Sequence, residues 1–126
     1  MNPYFSEVLD AHVAIEAWLG RGVGDLEALM ARFSAAFTLI SPAGTVLDRD
    51  GLRTLFTAHQ AGRPGLKIEI DSMTLVQAWD TGAVVRYREH QQLADNATTT
   101  RWSTAVFSRS EQGLVWCHLH ETLVAG

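Results

Sequence analysis

Gly113-Leu114-Val115-Trp116-Cys117-His118-Leu119-His120-Glu121-Thr122-Leu123 is the stretch on which the fold turns. Its β-branched and aromatic content predicts a strand. Successive side chains on a strand point to opposite faces. Strict alternation would put Trp116, His118, His120 and Thr122 on one face, and Val115, Cys117, Leu119, Glu121 and Leu123 on the other. The first set is aromatic and polar; the second is apolar with a single carboxylate. Neither is written for water, so the strand is expected to be covered on both sides.

Reading backwards, the preceding segments are strands too. Thr98 to Ser108 and Ala83 to Leu93 are rich in β-branched and aromatic residues, with turn residues at Asp95-Asn96 and at Ser110 to Gly113. Leu66, Ile68 and Ile70 alternate with Lys67, Glu69 and Asp71, which begins a strand with one dry face that runs to about Trp79. The pattern blurs after Ser72, where a bend or bulge is expected, and Asp80-Thr81-Gly82 makes a hairpin turn.

The first half carries helical spacing. Phe5, Val8, Leu9, His12, Ile15 and Leu19 recur on one face from Asn2 to Leu19, and Pro3 suits a first turn. Gly20, Gly22 and Gly24 break this helix. Asp25 caps a second, with Leu26, Leu29, Met30 and Phe33 on one side. Phe37 to Ser41 and Thr45 to Leu47 form short strands around Pro42-Ala43-Gly44. Asp48 or Asp50 opens a third helix bearing Leu52, Leu55, Phe56 and His59. Helices first and four long antiparallel strands after predict an α+β domain over residues 1–126. Three helices on the concave side of a strongly curved sheet enclose a cone with a pocket at its open end.

Composition bounds the function. The chain has 126 residues, 47% hydrophobic and 19% charged, which is enough for a globular core without staples. Net charge is −4 with acids and bases interleaved, which argues against nucleic acid or an anionic membrane as partner. Nothing approaches the ~20 apolar residues of a membrane span. Cys117 is the only cysteine and no signal-like segment opens the chain, so the expected compartment is the cytoplasm.

The layout resembles the nuclear transport factor 2-like superfamily, which includes ketosteroid isomerase, SnoaL-like polyketide cyclases and the association domain of calcium/calmodulin-dependent kinase II. The resemblance rests on Asp25-Leu26-Glu27-Ala28-Leu29 leading to Phe37-Thr38-Leu39-Ile40-Ser41-Pro42, on Arg86 in Ala83-Val84-Val85-Arg86-Tyr87, on Ser103-Thr104-Ala105-Val106-Phe107, and on His118-Leu119-His120-Glu121-Thr122. That last piece is similar to the His-x-His-x-Ser/Thr ending of the association domain. It departs from that domain at Leu114, where tryptophan is usual, and at Glu121, where arginine is frequent. The resemblance implies a cone-shaped fold, a pocket for a small carbonyl or carboxylate compound, and a homodimer formed through the sheet. It does not imply one activity, since the fold hosts isomerases, cyclases, dehydratases and non-catalytic binders.

Several residues carry candidate chemistry. The resemblance points Arg86 and Glu121 into the cone, where they would form either a structural ion pair or an anion anchor beside a base. His12, on the sheet-facing side of the first helix, is either a satisfied core residue or a general acid/base. Arg101 and Ser103 share a face with Ala105 and Phe107, which the resemblance turns inward; Arg101, toward one end, is either in the pocket or solvated at its rim, and Arg88, on the face of Arg86, has the same two possibilities. Tyr87 is expected to point the opposite way, which leaves an isomerase of the ketosteroid kind without its inward tyrosine. Cys117 and Leu119 are expected to line the pocket. Trp116, His118, His120 and Thr122 would form the dimer interface. The two histidines could reach a metal, but no third ligand with suitable spacing accompanies them, so no metal and no cofactor is expected. The two function classes that follow are a cofactor-free isomerase, cyclase or dehydratase using Glu121 or His12, and a non-catalytic association module.

Overall fold

The computed structural model describes residues 2–125. Helix α1, Pro3–Arg21, starts where the Asn2 side chain accepts the Tyr4 N–H at 2.8 Å and ends at Gly22, whose φ of 67° is the left-handed geometry glycine adopts without strain. Its sheet-facing side buries Val8, Ala11, His12 and Leu19. Helix α2 is a single turn, Leu26–Met30, capped by Asp25. The expected longer helix is cut short because Phe33 opens a strand instead: β1 runs Phe33–Ile40, and Phe33 sits in register with Trp116. A two-stranded ribbon with β2, Val46–Asp48, leads into α3, Arg49–Ala58, where the Asp48 carboxylate takes the Gly51 N–H at 2.8 Å.

Four long strands follow: β3 Leu66–Trp79, β4 Gly82–Leu93, β5 Thr99–Ser110 and β6 Gly113–Leu123. The sheet order is β2-β1-β6-β5-β4-β3, all antiparallel except β1 against β6. This is the expected α+β architecture with a mixed sheet. β6, the opening stretch, lies at its centre between β1 and β5. The helices pack on one face: Trp18 Nε1 donates to the Phe56 carbonyl at 2.9 Å, and Glu16 accepts the Ile68 N–H at 2.8 Å. No helix is long and apolar enough to cross a membrane.

Bulges bend the sheet. The expected break falls at Ser72, held at φ 57° between the Asp71↔Arg88 and Thr74↔Arg86 pairs; a second lies between Leu75 and Gln77. A third was not foreseen. In β6, Trp116 faces Phe107 and His118 faces Val106, so Cys117 is an extra residue between them. The bulge resets the alternation, and Trp116 and Leu119 both face the helices although they are three apart.

Three expectations about side-chain direction are corrected, those for Trp116, Arg86 and Tyr87. Trp116 is not a dimer-face residue. It is 2% exposed in the core, with its indole N–H on Glu7 at 3.0 Å. Arg86 does not enter the cone. On β4 the inner set is Ala83, Val85, Tyr87, Glu89 and Gln91, all buried, while Arg86 is exposed on the outer face with Arg88. Both guanidiniums lie against the Trp102 ring, and Arg88 pairs with Asp71 at 2.8 Å. The physical reason is ordinary: an apolar alternate set goes to the core, and Tyr87, expected outside, goes with it.

Candidate functional site

Between the helices and the inner face of the sheet lies a cavity of about 230 Å³. Most of its wall is apolar, built from Phe33, Phe37 and Leu39 of β1, Leu52 and Phe56 of α3, and Leu119 of β6. One side is different. There α1 supplies His12, β4 supplies Glu89 and Gln91, β5 supplies Arg101 and β6 supplies Glu121. The register explains the convergence: Glu89 is opposite Arg101, and the next inward residue of β5, Ser103, is opposite Glu121.

His12 and Glu89 form a buried pair whose proton count follows from the geometry. His12 Nδ1 is 2.7 Å from the Val8 carbonyl, which can only accept, so Nδ1 carries hydrogen. Nε2 is 3.1 Å from Glu89 Oε1, and Glu89 Oε2 accepts from the Gln91 amide at 2.6 Å. An imidazolium facing a carboxylate satisfies all of these contacts. Burial opposes charge on the imidazole, but the carboxylate and carbonyl outweigh it and raise His12 above its ordinary value. Burial likewise opposes charge on Glu89, yet His12, Gln91 and Arg101 together hold it down at about 2.

Glu121 behaves oppositely. Burial first, then the negative charge of Glu89, push its carboxyl up, although Arg101 Nη1 donates to it at 3.1 Å. Two carboxyls at one cavity are thus driven apart, Glu89 downward and Glu121 upward. Behind them Tyr87 stands edge-on to the His12 ring, 5.5 Å between centroids, with its phenol held well above the ordinary range by burial. Tyr87 is in register with Ser103; both hydroxyls are buried and neither makes a hydrogen bond of ordinary geometry, although Ser103 lies near enough to offset a little of the rise.

The structure brings His12, Arg101, Leu119 and Glu121 together at the cavity, with Ser103 buried next to it. Cys117, half-buried on its bulge, is not part of the lining, and Arg86 and Arg88 are on the other side of the sheet. His118, His120 and Thr122 do face outward, where His118 meets the Thr38 hydroxyl at 2.7 Å. Sequence reading missed Glu89, Gln91 and Arg63 as lining residues and Tyr87 as an inward one. The signal for β4 was present: Ala83, Val85 and Tyr87 are its apolar alternate set, and Glu89 and Gln91 continue the same parity. Among the described residues, no three His, Cys, Asp or Glu side chains gather as a metal site requires. A larger groove between α1 and α2, about 430 Å³ and lined by Val13, Trp18, Val23 and Leu29 among others, has no comparable convergence of buried polar groups.

The SnoaL-like domain family matches residues 10–118. The chain belongs to that family. Among solved structures, this SnoaL-like domain is similar to a nuclear transport factor 2-like protein of unknown function from Pseudomonas aeruginosa, with 42% identity, 98% of this chain and 99% of that one covered, and a TM-score of 0.93. The hub homology domain of the kinase from Chlamydomonas reinhardtii has the same fold at 22% identity, with 98% and 97% covered and a TM-score of 0.77. So does a proposed dehydratase of the nuclear transport factor 2-like family from Streptomyces avermitilis, at 18% identity, 97% of each chain covered and a TM-score of 0.75. No curated protein matches this chain.

Proposed function

We propose that the cavity binds a small carbonyl compound and that its own side chains move a proton on it, as an isomerase, cyclase or dehydratase requires. The observation that carries this reading is the opposed pair of carboxyls: Glu89 held at about 2 and Glu121 pushed up at the same cavity. Opposed environments of this kind are how one site supplies both a fixed charge and a proton-transfer group. Glu121 takes or returns the proton on carbon. The Arg101 guanidinium stabilises the oxygen where negative charge develops, while His12, whose two ring N–H groups are taken by Val8 and Glu89, keeps Glu89 ionised as the fixed charge. The apolar wall keeps water from competing. The proposed dehydratase among the fold relatives is in keeping with this class.

The test is proton exchange. Small ketones and keto acids are incubated with the protein in D2O, and deuterium uptake next to the carbonyl is followed by NMR. Wild type is expected to catalyse uptake on members of the panel, and Glu121→Gln to slow it by about 100-fold or more, the usual worth of a general base. Uptake that is absent throughout, or unchanged in Glu121→Gln, refutes the reading.

A second reading, self-association through the outer sheet face, is supported by the composition of that face. Trp102 is 39% exposed there, on the strand next to the one that carries His118 and His120. His120→Glu is expected to shift the sedimentation of wild type toward monomer. A wild type that is already monomeric at micromolar concentration ends this reading.

A further inference from the structure

The five ionisable side chains that line the cavity are His12, Arg63, Glu89, Arg101 and Glu121. Four of them are matched within the protein, His12 with Glu89 and Arg101 with Glu121. Arg63 is not: among the described residues its guanidinium enters no ion pair and no hydrogen bond. Its backbone is nonetheless fixed, since its N–H donates to the Leu19 carbonyl at 2.9 Å and its carbonyl accepts from Leu66 at 3.1 Å. It lies in the turn that leads into β3, and the β3 register locates that end of the sheet. Leu66 pairs with Leu93, two residues beyond Gln91, and Ile68 pairs with Gln91 itself.

Arg63 therefore stands at the end of the sheet that carries Gln91 and Arg101. Two further groups there are incomplete. Arg101 Nε is buried and has no acceptor, and Gln91 Oε1 is buried and has no donor. A half-buried cation without a partner, and a guanidinium N–H without an acceptor on another residue lining the same cavity, call for an acceptor with negative charge. The free amide oxygen and the two carboxylates argue against more than one such charge.

We infer that the ligand is a monoanionic carboxylate, held at the cavity end by the Arg63 guanidinium and the Arg101 Nε–H with its apolar body against Phe37, Leu39 and Leu119. This rests on the cavity being a ligand site, as proposed above, and narrows its substrate from carbonyl compounds in general to those bearing one carboxylate. The volume of about 230 Å³ sets a small size, below the ~300–1,000 Å³ of pockets for drug-sized molecules.

The experiment is an NMR titration at low salt of wild type, Arg63→Gln and Arg63→Lys. The probes are benzoate, phenylacetate and cyclohexanecarboxylate, each paired with its neutral carboxamide. The indole N–H of Trp116, a lining residue, reports occupancy of the cavity. In wild type each carboxylate that binds is expected to do so about tenfold or more tightly than its carboxamide, the scale of a hydrogen bond to a charged group. The gap is expected to close to within about threefold in Arg63→Gln and to reopen in Arg63→Lys, since the charge is restored. Carboxamides binding as tightly as carboxylates overturn the ligand class while leaving a carbonyl site standing. A gap that survives Arg63→Gln overturns the role of Arg63. No perturbation of Trp116 by any probe removes both this inference and the cavity reading beneath it.

Discussion

Replacing Glu89 by glutamine tests whether the buried pair is charged. The side chain keeps its shape and one oxygen, so the lesion is electrostatic. In the native protein Glu89 is 3% exposed and accepts from both His12 and Gln91. Its fall from 4.5 to about 2 corresponds to about 3 kcal/mol, at about 1.4 kcal/mol for each pH unit. A depressed carboxyl contributes stability that is fully present above the unfolded value of 4.5 and is lost as pH falls through the folded value. His12 has the opposite sense. Its raised value contributes stability present below 6.5 and lost as pH rises through the folded value.

Urea unfolding followed by tryptophan fluorescence gives the comparison. At pH 7, Glu89→Gln is expected to be about 3 kcal/mol less stable than wild type. The two stabilities should converge as pH falls from 5 toward 2, because the wild-type contribution disappears there. In the variant burial acts on His12 without the carboxylate, so the upward shift of its ring is reduced. Equal stability at pH 7, or curves that run parallel from pH 5 to pH 2, would show that the pair is not an imidazolium and a carboxylate.

Three further outcomes are expected. Tyr87→Phe removes a buried hydroxyl without a partner and should leave stability unchanged or raise it by up to about 1 kcal/mol; a loss of 2 kcal/mol or more by the same assay would reveal a hydrogen bond that the structure does not contain. Gly82→Ala puts a Cβ against the Phe107 carbonyl oxygen and the Trp79 ring, so it should cost about 1–3 kcal/mol and lower the melting temperature. Asp48→Ala strips α3 of its N-cap and should cost about 1 kcal/mol, with Asp48→Asn restoring most of it; no recovery in Asp48→Asn would count against the cap.

Residues 113–123 show how far local chemistry reaches. Their apolar and aromatic content was enough to make them a strand, but cover on both faces is not what the single chain shows: His120 and Thr122 are exposed, and the central place of β6 comes from pairing with β1 and β5 along its edges. Glycines 20 to 24, the Asp25 and Asp48 caps and the turn at Asp80 to Gly82 likewise placed most element boundaries, because caps and turns depend on a few neighbouring residues. His12 was legible as an inward residue because it lies on an amphipathic helix with unbroken period; Arg101 and Glu121 were placed inward by the resemblance, and Leu119 shares the face of Glu121 beyond the bulge.

Facing was lost where the period breaks or where partners come from far along the chain. The extra residue at Cys117 is a property of three strands meeting, with Trp116 drawn inward to pack on Phe107 and to give its N–H to Glu7, which is 109 residues away. Nothing local to β6 signals it. The partner of Glu121 had the same origin. A carboxylate in a low-dielectric wall must be matched, which sequence chemistry supplies; that Arg101 rather than Arg86 does so is set by register across β4, β5 and β6. Register is fixed by the summed packing of every pair in the sheet. It was likewise the meeting of α1 with β4 that gave His12 a carboxylate, and so turned an isolated histidine on a helix into half of a charged pair.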